Sequence, residues 1–424
     1  MKRFLSFLTV VMLLCTAMLP AAALAEEPVT LRVTWWGSQT RHDLTMAAIQ
    51  KFEEKYPNIK VEPEFTSWDG YWSKLATQVA GGLMPDVIQM DYQYLTQYAQ
   101  SGVLADLKPY FESGAIDVSD VAESVLTSGQ VGDKIYALST GTNALATFYR
   151  KDVLDEAGLE MPMEPTLEGF AELAAQVYEK TGRTQDTLVG KDALRNLLRA
   201  YGLQLFNEEG NGLGFDDPAY LVRTWQGRLD AVEAGWCLDV GETAQTTAFD
   251  AMVSDNWASW HWTNELQAYQ DGSNCELELA CWPDPSDATV ASAYFKPSMF
   301  WSVSENSAVK DAAAQFINFF TNDPDCFDII GIDRAMPISS VIREHIAPQL
   351  DETSQKVSAY LDYLGQDGKT SPIMKPDAAA SGEVEALMGE YWDAVQYGQV
   401  DDMTAWAQQF MDEANALLLK AAQQ

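Results

Sequence analysis

Histidine is nearly missing from this chain: three in 424 residues, at His42, His261 and His345, far apart in sequence. Cysteine is scarce as well, with five, and their spacing fits no zinc pattern. A metal centre has little to be built from, and no cofactor is expected. No P-loop and no G-x-S-x-G nucleophile elbow occurs, which removes the usual sequence marks of phosphoryl and acyl transfer. The largest shortage is of positive charge. Lys and Arg number 27 against 62 Asp and Glu, a formal net charge of −35. Nucleic acid and anionic membranes repel such a chain, so neither is expected as a partner. There is no internal repeat, no low-complexity linker and, beyond the first segment, no apolar run long enough to span a bilayer.

What is present begins with a leader. Lys2 and Arg3 precede an apolar run from Phe4 to Leu19, then Pro20 and the small-residue site Ala23-Leu24-Ala25. That order predicts a secretory signal over residues 1–25, cleaved so that the mature chain starts at Glu26 and works outside the cytoplasm, in a periplasm or on the outer surface. An uncleaved anchor is the alternative. Lipidation at Cys15 is disfavoured by the bulky Leu14 before it. The remaining cysteines are Cys237, Cys275, Cys281 and Cys326. Cys275 and Cys281 are close enough to close a small loop in an oxidising compartment, and free buried thiols are the equal alternative. Roughly 400 residues remain, enough for two or three domains.

The mature N-terminus alternates strand and helix. Val29, Leu31, Val33 and Trp35 have period two; Leu44, Ala48, Phe52 and Tyr56 give a helix from about Asp43, stopped by Pro57. Ile59 to Phe65 reads as a strand, Trp72 to Val79 as a helix ended by Gly81-Gly82, and Asp86 to Met90 as a third strand before a helix near Tyr94. This order predicts a parallel sheet covered on both faces, with ligands bound outside the carboxyl ends of its strands. Those ends carry Trp35-Trp36-Gly37-Ser38-Gln39, Trp68-Asp69-Gly70 and Asp91-Tyr92-Gln93. A second α/β region follows, with Thr166 as a helix N-cap, Phe170, Leu173 and Val177 on one face and Gly182 as its end. The last helix carries Trp406, Phe410, Ala414, Leu417 and Leu418 along one face.

These segments, in this order, resemble the bacterial extracellular solute-binding proteins, family 1, of carbohydrate ABC importers. The resemblance covers nearly the whole mature chain and rests on Trp35-Trp36-Gly37, Lys51-Phe52-Glu53, Tyr56-Pro57-Asn58-Ile59-Lys60-Val61, Trp68 and Tyr71, Ala80-Gly81-Gly82, Pro85-Asp86-Val87, Gly132 to Leu138 and Phe148-Tyr149-Arg150-Lys151-Asp152. Phe300 to Ser304 and Ala313 to Ile317 continue it. Arg334-Ala335-Met336-Pro337-Ile338-Ser339 sits where the family usually has Arg-Gly-x-Pro-x-Ser, and Ala335 in place of glycine bears on the local turn. The resemblance implies a two-lobed type II clamp of α/β lobes with parallel-core sheets, a ligand cleft between them, and lobes that close. It implies an N-terminal lobe of 26–138 with 300–340, and a C-terminal lobe of 139–299 with 341–424. It further implies a sugar or oligosaccharide ligand, permease subunits of the importer as partners, a monomer, and no enzymatic activity. Trp36 to His42 and Lys296-Pro297-Ser298 are similar to binders of oligogalacturonides. The alternative is a secreted glycoside hydrolase, which would need two carboxylates at a defined separation.

A sugar offers flat CH faces and many hydroxyls, so its cleft needs aromatic platforms beside fixed polar groups. The expected platform is Trp36, with Trp35 pointing the other way into the core. Gly37 would let a ligand approach the backbone. Trp68 divides between platform and packing; Trp260 and Trp262 share a face if that segment is extended, with Asn264 beyond them; and either Phe300 or Trp301 should meet the cleft. Gln39, Asp91, Tyr92 and Asn143 are the expected polar contacts, Asp91 being equally suited to cap the helix that follows it. Arg41 would clamp a uronate carboxylate or form a surface ion pair. Arg334 is expected to fix the loop before Pro337.

Overall fold

The computed structural model describes residues 28–185, 191–238, 256–373, 377–378 and 380–423. The leader, Cys15 and the expected cleavage point before Glu26 lie outside the described residues. No helix among the described residues is long and apolar enough to cross a membrane.

The described strands are β1 (Val29–Trp36), β2 (Ile59–Thr66), β3 (Val87–Met90), β4 (Gln130–Val131), β5 (Lys134–Ile135), β6 (Leu138–Ser139), β7 (Thr142–Tyr149), β8 (Ala258–Trp262), β9 (Glu278–Ala280), β10 (Phe295–Pro297) and β11 (Phe300–Val303). The first sheet has the order β2-β1-β3-β11-β6. β1 pairs in parallel with β2 and β3, as right-handed crossovers through helices require. Those helices are α1 (Gln39–Lys55), α2 (Trp68–Ala80) and α3 (Tyr92–Gln100). Leu31, Val33 and Trp35 are buried on one face of β1, and Thr34 and Trp36 on the other, so this strand is covered on both sides. β11 and β6 return antiparallel at its edge.

The second sheet is centred on β7, which pairs with β8, β9 and β10, every pair antiparallel. The expected parallel pairing is therefore confined to the first sheet. Around the second sheet lie α4 (Leu167–Thr181), α5 (Lys191–Ala200) and α6 (Ala219–Glu233). As predicted, Thr166 caps α4, its Oγ1 accepting from the Gly169 amide at 3.0 Å, and Gly182 ends it in left-handed conformation at φ 70°. A helical cluster built on α7 (Ser381–Gln396) and α8 (Met403–Ala421) buries Trp392, Phe410, Ala414 and Leu418 together with Leu198 and Trp225.

The chain passes between the two sheets at Ser139–Thr142 and again at Pro297–Phe300. A third strip, Arg334–Met336, is tied against both. The Thr142 amide donates to Met336 O at 2.9 Å, the Ser298 amide to Gly141 O at 2.9 Å, and the Ser298 hydroxyl to Arg334 O at 2.6 Å. Gly141 is required there, because a Cβ would stand 2.3 Å from Arg334 O. All four described cysteines are free thiols, including Cys275 and Cys281.

Candidate functional site

Two sets of strand ends face each other across this crossing. On the first sheet, β3 delivers Asp91 and Tyr92. Asp91 caps α3, its Oδ1 accepting from the Gln93 amide at 2.8 Å. Burial pushes its carboxyl above the ordinary carboxylate range, while the Gln93 N–H and the Lys296 ammonium pull it back. That Lys296 field comes from the opposite sheet. Tyr92 stacks on Phe300 with ring centroids 6.2 Å apart, and burial raises its phenol, which also lies within electrostatic reach of Tyr294, Arg199 and Asp377.

On the second sheet, strand register puts the candidate groups on one face. Lys296 is directly opposite Asn143, and Trp262 is opposite Leu145, two residues farther along β7. Residues paired across antiparallel strands share a face, as do residues two apart. Lys296, Asn143 and Trp262 therefore project together. The Lys296 ammonium stands 4.5 Å from the centre of the Trp262 ring and makes no hydrogen bond or ion pair among the described residues. Tyr294 meets the same indole edge-on, centroids 5.7 Å apart at 84°. Behind it, the Arg199 guanidinium lies 4.1 Å over the Tyr294 ring while donating to Ser292 O and to the Ser371 hydroxyl. Burial lowers the Arg199 pKa to about 10. Asn264 is exposed in the turn immediately after β8. The group so formed offers an indole, two phenols, an amide, an ammonium held over the indole and a poorly solvated carboxylate.

Several expected contacts lie elsewhere. Trp36 is 7% exposed and sits in an aromatic cluster, edge-on to Trp68 and Tyr71 at 5.1 Å each. The reason is that α2 covers its face of β1 as fully as α1 covers that of Trp35. Trp35 is buried, its Nε1 donating to His42 Nδ1 at 3.1 Å. Gly37 makes room for the Arg41 side chain, since a Cβ would come within 2.6 Å of Arg41 Cδ. Arg41 pairs with Asp333, Nε donating to Oδ2 at 2.7 Å and Nη2 to the carbonyl at 2.8 Å. Gln39 donates to Asp43 one turn on. Phe300 and Trp301 are both buried, the first beneath Tyr92. Arg334 is buried too and donates to Thr45 Oγ1 at 2.8 Å, which holds its loop to α1.

Trp68 remains 40% exposed at the start of α2. Trp260 and Trp262 do share a face of an extended β8, but α4 covers the first of them. Trp260 stacks on Trp282 at 5.2 Å and lines a cavity of about 140 Å³ inside the second lobe, its Nε1 having no hydrogen-bond partner among the described residues. Tyr294 and Arg199 were not singled out from sequence. Tyr294, which immediately precedes β10, could have been found from its two-residue spacing from Lys296; Arg199 carried no local mark, because its partners are separated from it by more than 90 residues.

The sequence profile described as bacterial extracellular solute-binding protein matches residues 37–325. An extracellular solute-binding protein family 1 structure from Alicyclobacillus acidocaldarius is 28% identical, with a TM-score of 0.86, covering 93% of this chain and 100% of that one. A periplasmic oligogalacturonide-binding protein from Yersinia enterocolitica superposes with a TM-score of 0.77 over 93% of this chain and 100% of its own; at 22% identity that likeness concerns the fold alone. An arabinooligosaccharide-binding protein from Halalkalibacterium halodurans is 23% identical over 190 residues, 44% of this chain and 42% of that protein. The chain spans about two fifths of the length of the curated relatives it matches. With the profile matching well over half of its length and the two-lobed fold on either side of the cleft, the chain belongs to the bacterial extracellular solute-binding proteins.

Proposed function

We propose that this chain captures a carbohydrate between its lobes, outside the cytoplasm, and delivers it unaltered to the permease of an ABC importer. One observation carries the reading: Trp262, Asn143 and Lys296 on one sheet converge with Asp91 and Tyr92 on the other, which joins an aromatic face to hydrogen-bonding groups from both lobes. The names of relatives that bind arabino-oligosaccharides and oligogalacturonides support a sugar as the ligand. The leader supports export, with cleavage before Glu26. In this reading the lobes are 26–138 with 300–340 and 139–299 with 341–424, the protein acts as a monomer, and Trp262, Asn143, Asp91, Tyr92, Asn264 and Lys296 are the ligand contacts.

A thermal-shift screen of the mature protein against mono- and oligosaccharides tests this. A ligand at 100 times its Kd adds about 2.7 kcal/mol to stability, a visible shift. Chromatography of the stabilising sugar after incubation should return it intact. A panel without any shift would overturn the carbohydrate assignment, and released reducing ends would overturn the binding-only role.

A further inference from the structure

We propose that the cavity behind β8 in the second lobe binds a small neutral aromatic molecule, a single six-membered ring carrying a hydroxyl group, at a site separate from the sugar cleft. The proposal does not depend on the carbohydrate reading, since none of the six residues assigned to the sugar lines this cavity.

The cavity holds about 140 Å³ and is bordered by β8, α4, α5 and α6. An apolar cavity of ~150 Å³ accommodates one benzene ring, so the space is that of a single ring. Phe170, Leu197, Trp236, Trp260 and Trp282 make its walls largely apolar. Three of these rings are packed on one another, Trp260 standing 5.2 Å from Trp282 and 5.5 Å from Phe170. Such a stack presents a firm aromatic surface, against which a further ring packs edge-on or offset. Trp260, expected from sequence among the sugar contacts, borders this space instead.

One polar group interrupts the apolar wall. Asn196 on α5 is 4% exposed, lines the cavity, and its side-chain amide makes no hydrogen bond among the described residues. A buried amide without a partner is costly, and a ligand that satisfies it recovers that cost. The amide is both donor and acceptor, so one hydroxyl group can donate to its Oδ1 or accept from its Nδ2. Two cations also line the cavity. Arg223 is paired with Glu168 at 2.9 Å and Asp287 at 3.2 Å, and Arg228 donates to Leu238 O at 3.0 Å. Both have acceptors already, which favours a neutral ligand over a carboxylate. The way in is at Gly227, which is exposed and lines the cavity from α6. A Cβ there would meet nothing within 4 Å, and alanine would hold the helix better, so packing does not require this glycine; its effect is to keep the wall open.

Isothermal titration calorimetry of the mature protein with phenol, benzene and benzoate tests the proposal. Phenol should bind saturably at one site per chain, and benzoate more weakly than phenol. Asn196→Leu keeps the size of the side chain and removes an unpaired buried amide, so folding is not at risk. It should lower the ratio of phenol to benzene affinity several-fold, the loss of one neutral hydrogen bond. Trp262→Ala, in the sugar cleft, should leave phenol binding unchanged. No saturable binding of phenol, a ratio that Asn196→Leu does not move, or benzoate binding tighter than phenol would each overturn the proposal. Loss of phenol binding in Trp262→Ala would place the ring in the cleft and overturn it as well. The carbohydrate reading stands or falls separately, on the sugar panel.

Discussion

Trp36 closes β1 with its indole pressed among Trp68, Tyr71 and Trp72, and this burial decides what its removal does. Trp36→Ala deletes a large ring from a covered site and should cost roughly 3–5 kcal/mol of fold stability. Trp68→Ala, at a 40% exposed position, should cost much less. Urea unfolding of the two variants side by side reads the difference, and a near-native midpoint for Trp36→Ala would mean that its ring faces water. The period-two pattern of this strand was legible in the sequence. The function of its last residue was not, because both faces of a parallel sheet are covered and alternation separates the faces without saying which of them is open. Asp91 was ambiguous for a related reason. A carboxylate at a strand end that begins a helix can cap it and still border a cleft, and here it does the first at 2.8 Å while lying beside the second.

At the scale of elements, the strand–helix order of residues 29–100 was readable throughout, and its errors lie at boundaries. α1 starts at Gln39, four residues before the expected Asp43, because its first turn, Gln39-Thr40-Arg41-His42, has no aliphatic residue to mark the period; Ser38, whose Oγ accepts from the Arg41 amide at 3.3 Å, marks the start instead. The departure at Ala335 has a structural consequence. Ala335 has φ 74°, the left-handed region in which a Cβ costs about 1–2 kcal/mol. Glycine would relieve that strain, at some loss through the greater freedom of its unfolded chain. Ala335→Gly should therefore stabilise the protein by about 0.5–1 kcal/mol, raising Tm by roughly one to three degrees. Differential scanning calorimetry measures this, and a lowered Tm would contradict the left-handed backbone at this position. Because Arg334 O also receives the Ser298 hydroxyl, the gain belongs to the strip that binds the two crossings together.

For the whole molecule, the candidate site is assembled from segments that no local pattern connects. Asp91, Asn143, Trp262 and Lys296 are brought together by β-register and by the crossings, so single strand ends could be nominated from sequence while their convergence, and the part of Tyr294 and Arg199 in it, could not. The same assembly fixes how the lobes can move. The connections at Ser139–Thr142 and Pro297–Phe300 lie side by side and share hydrogen bonds through Gly141, Met299 and Ser298. A rotation about this short axis changes few φ/ψ angles and leaves both sheets intact, as in hinge closure around a ligand. Ligand that touches both walls gains contacts only in the closed form, and its differential affinity is what shifts the population. Small-angle scattering should accordingly give a smaller radius of gyration with saturating sugar than without it. Tryptophan emission should shift to shorter wavelength as Trp262 loses water. Superimposable scattering profiles would rule out closure and leave a rigid binder, in which Asp91 and Tyr92 would contribute to affinity only as far as their present positions allow. A change in emission without a change in scattering would then mean that the sugar is held on the second sheet alone.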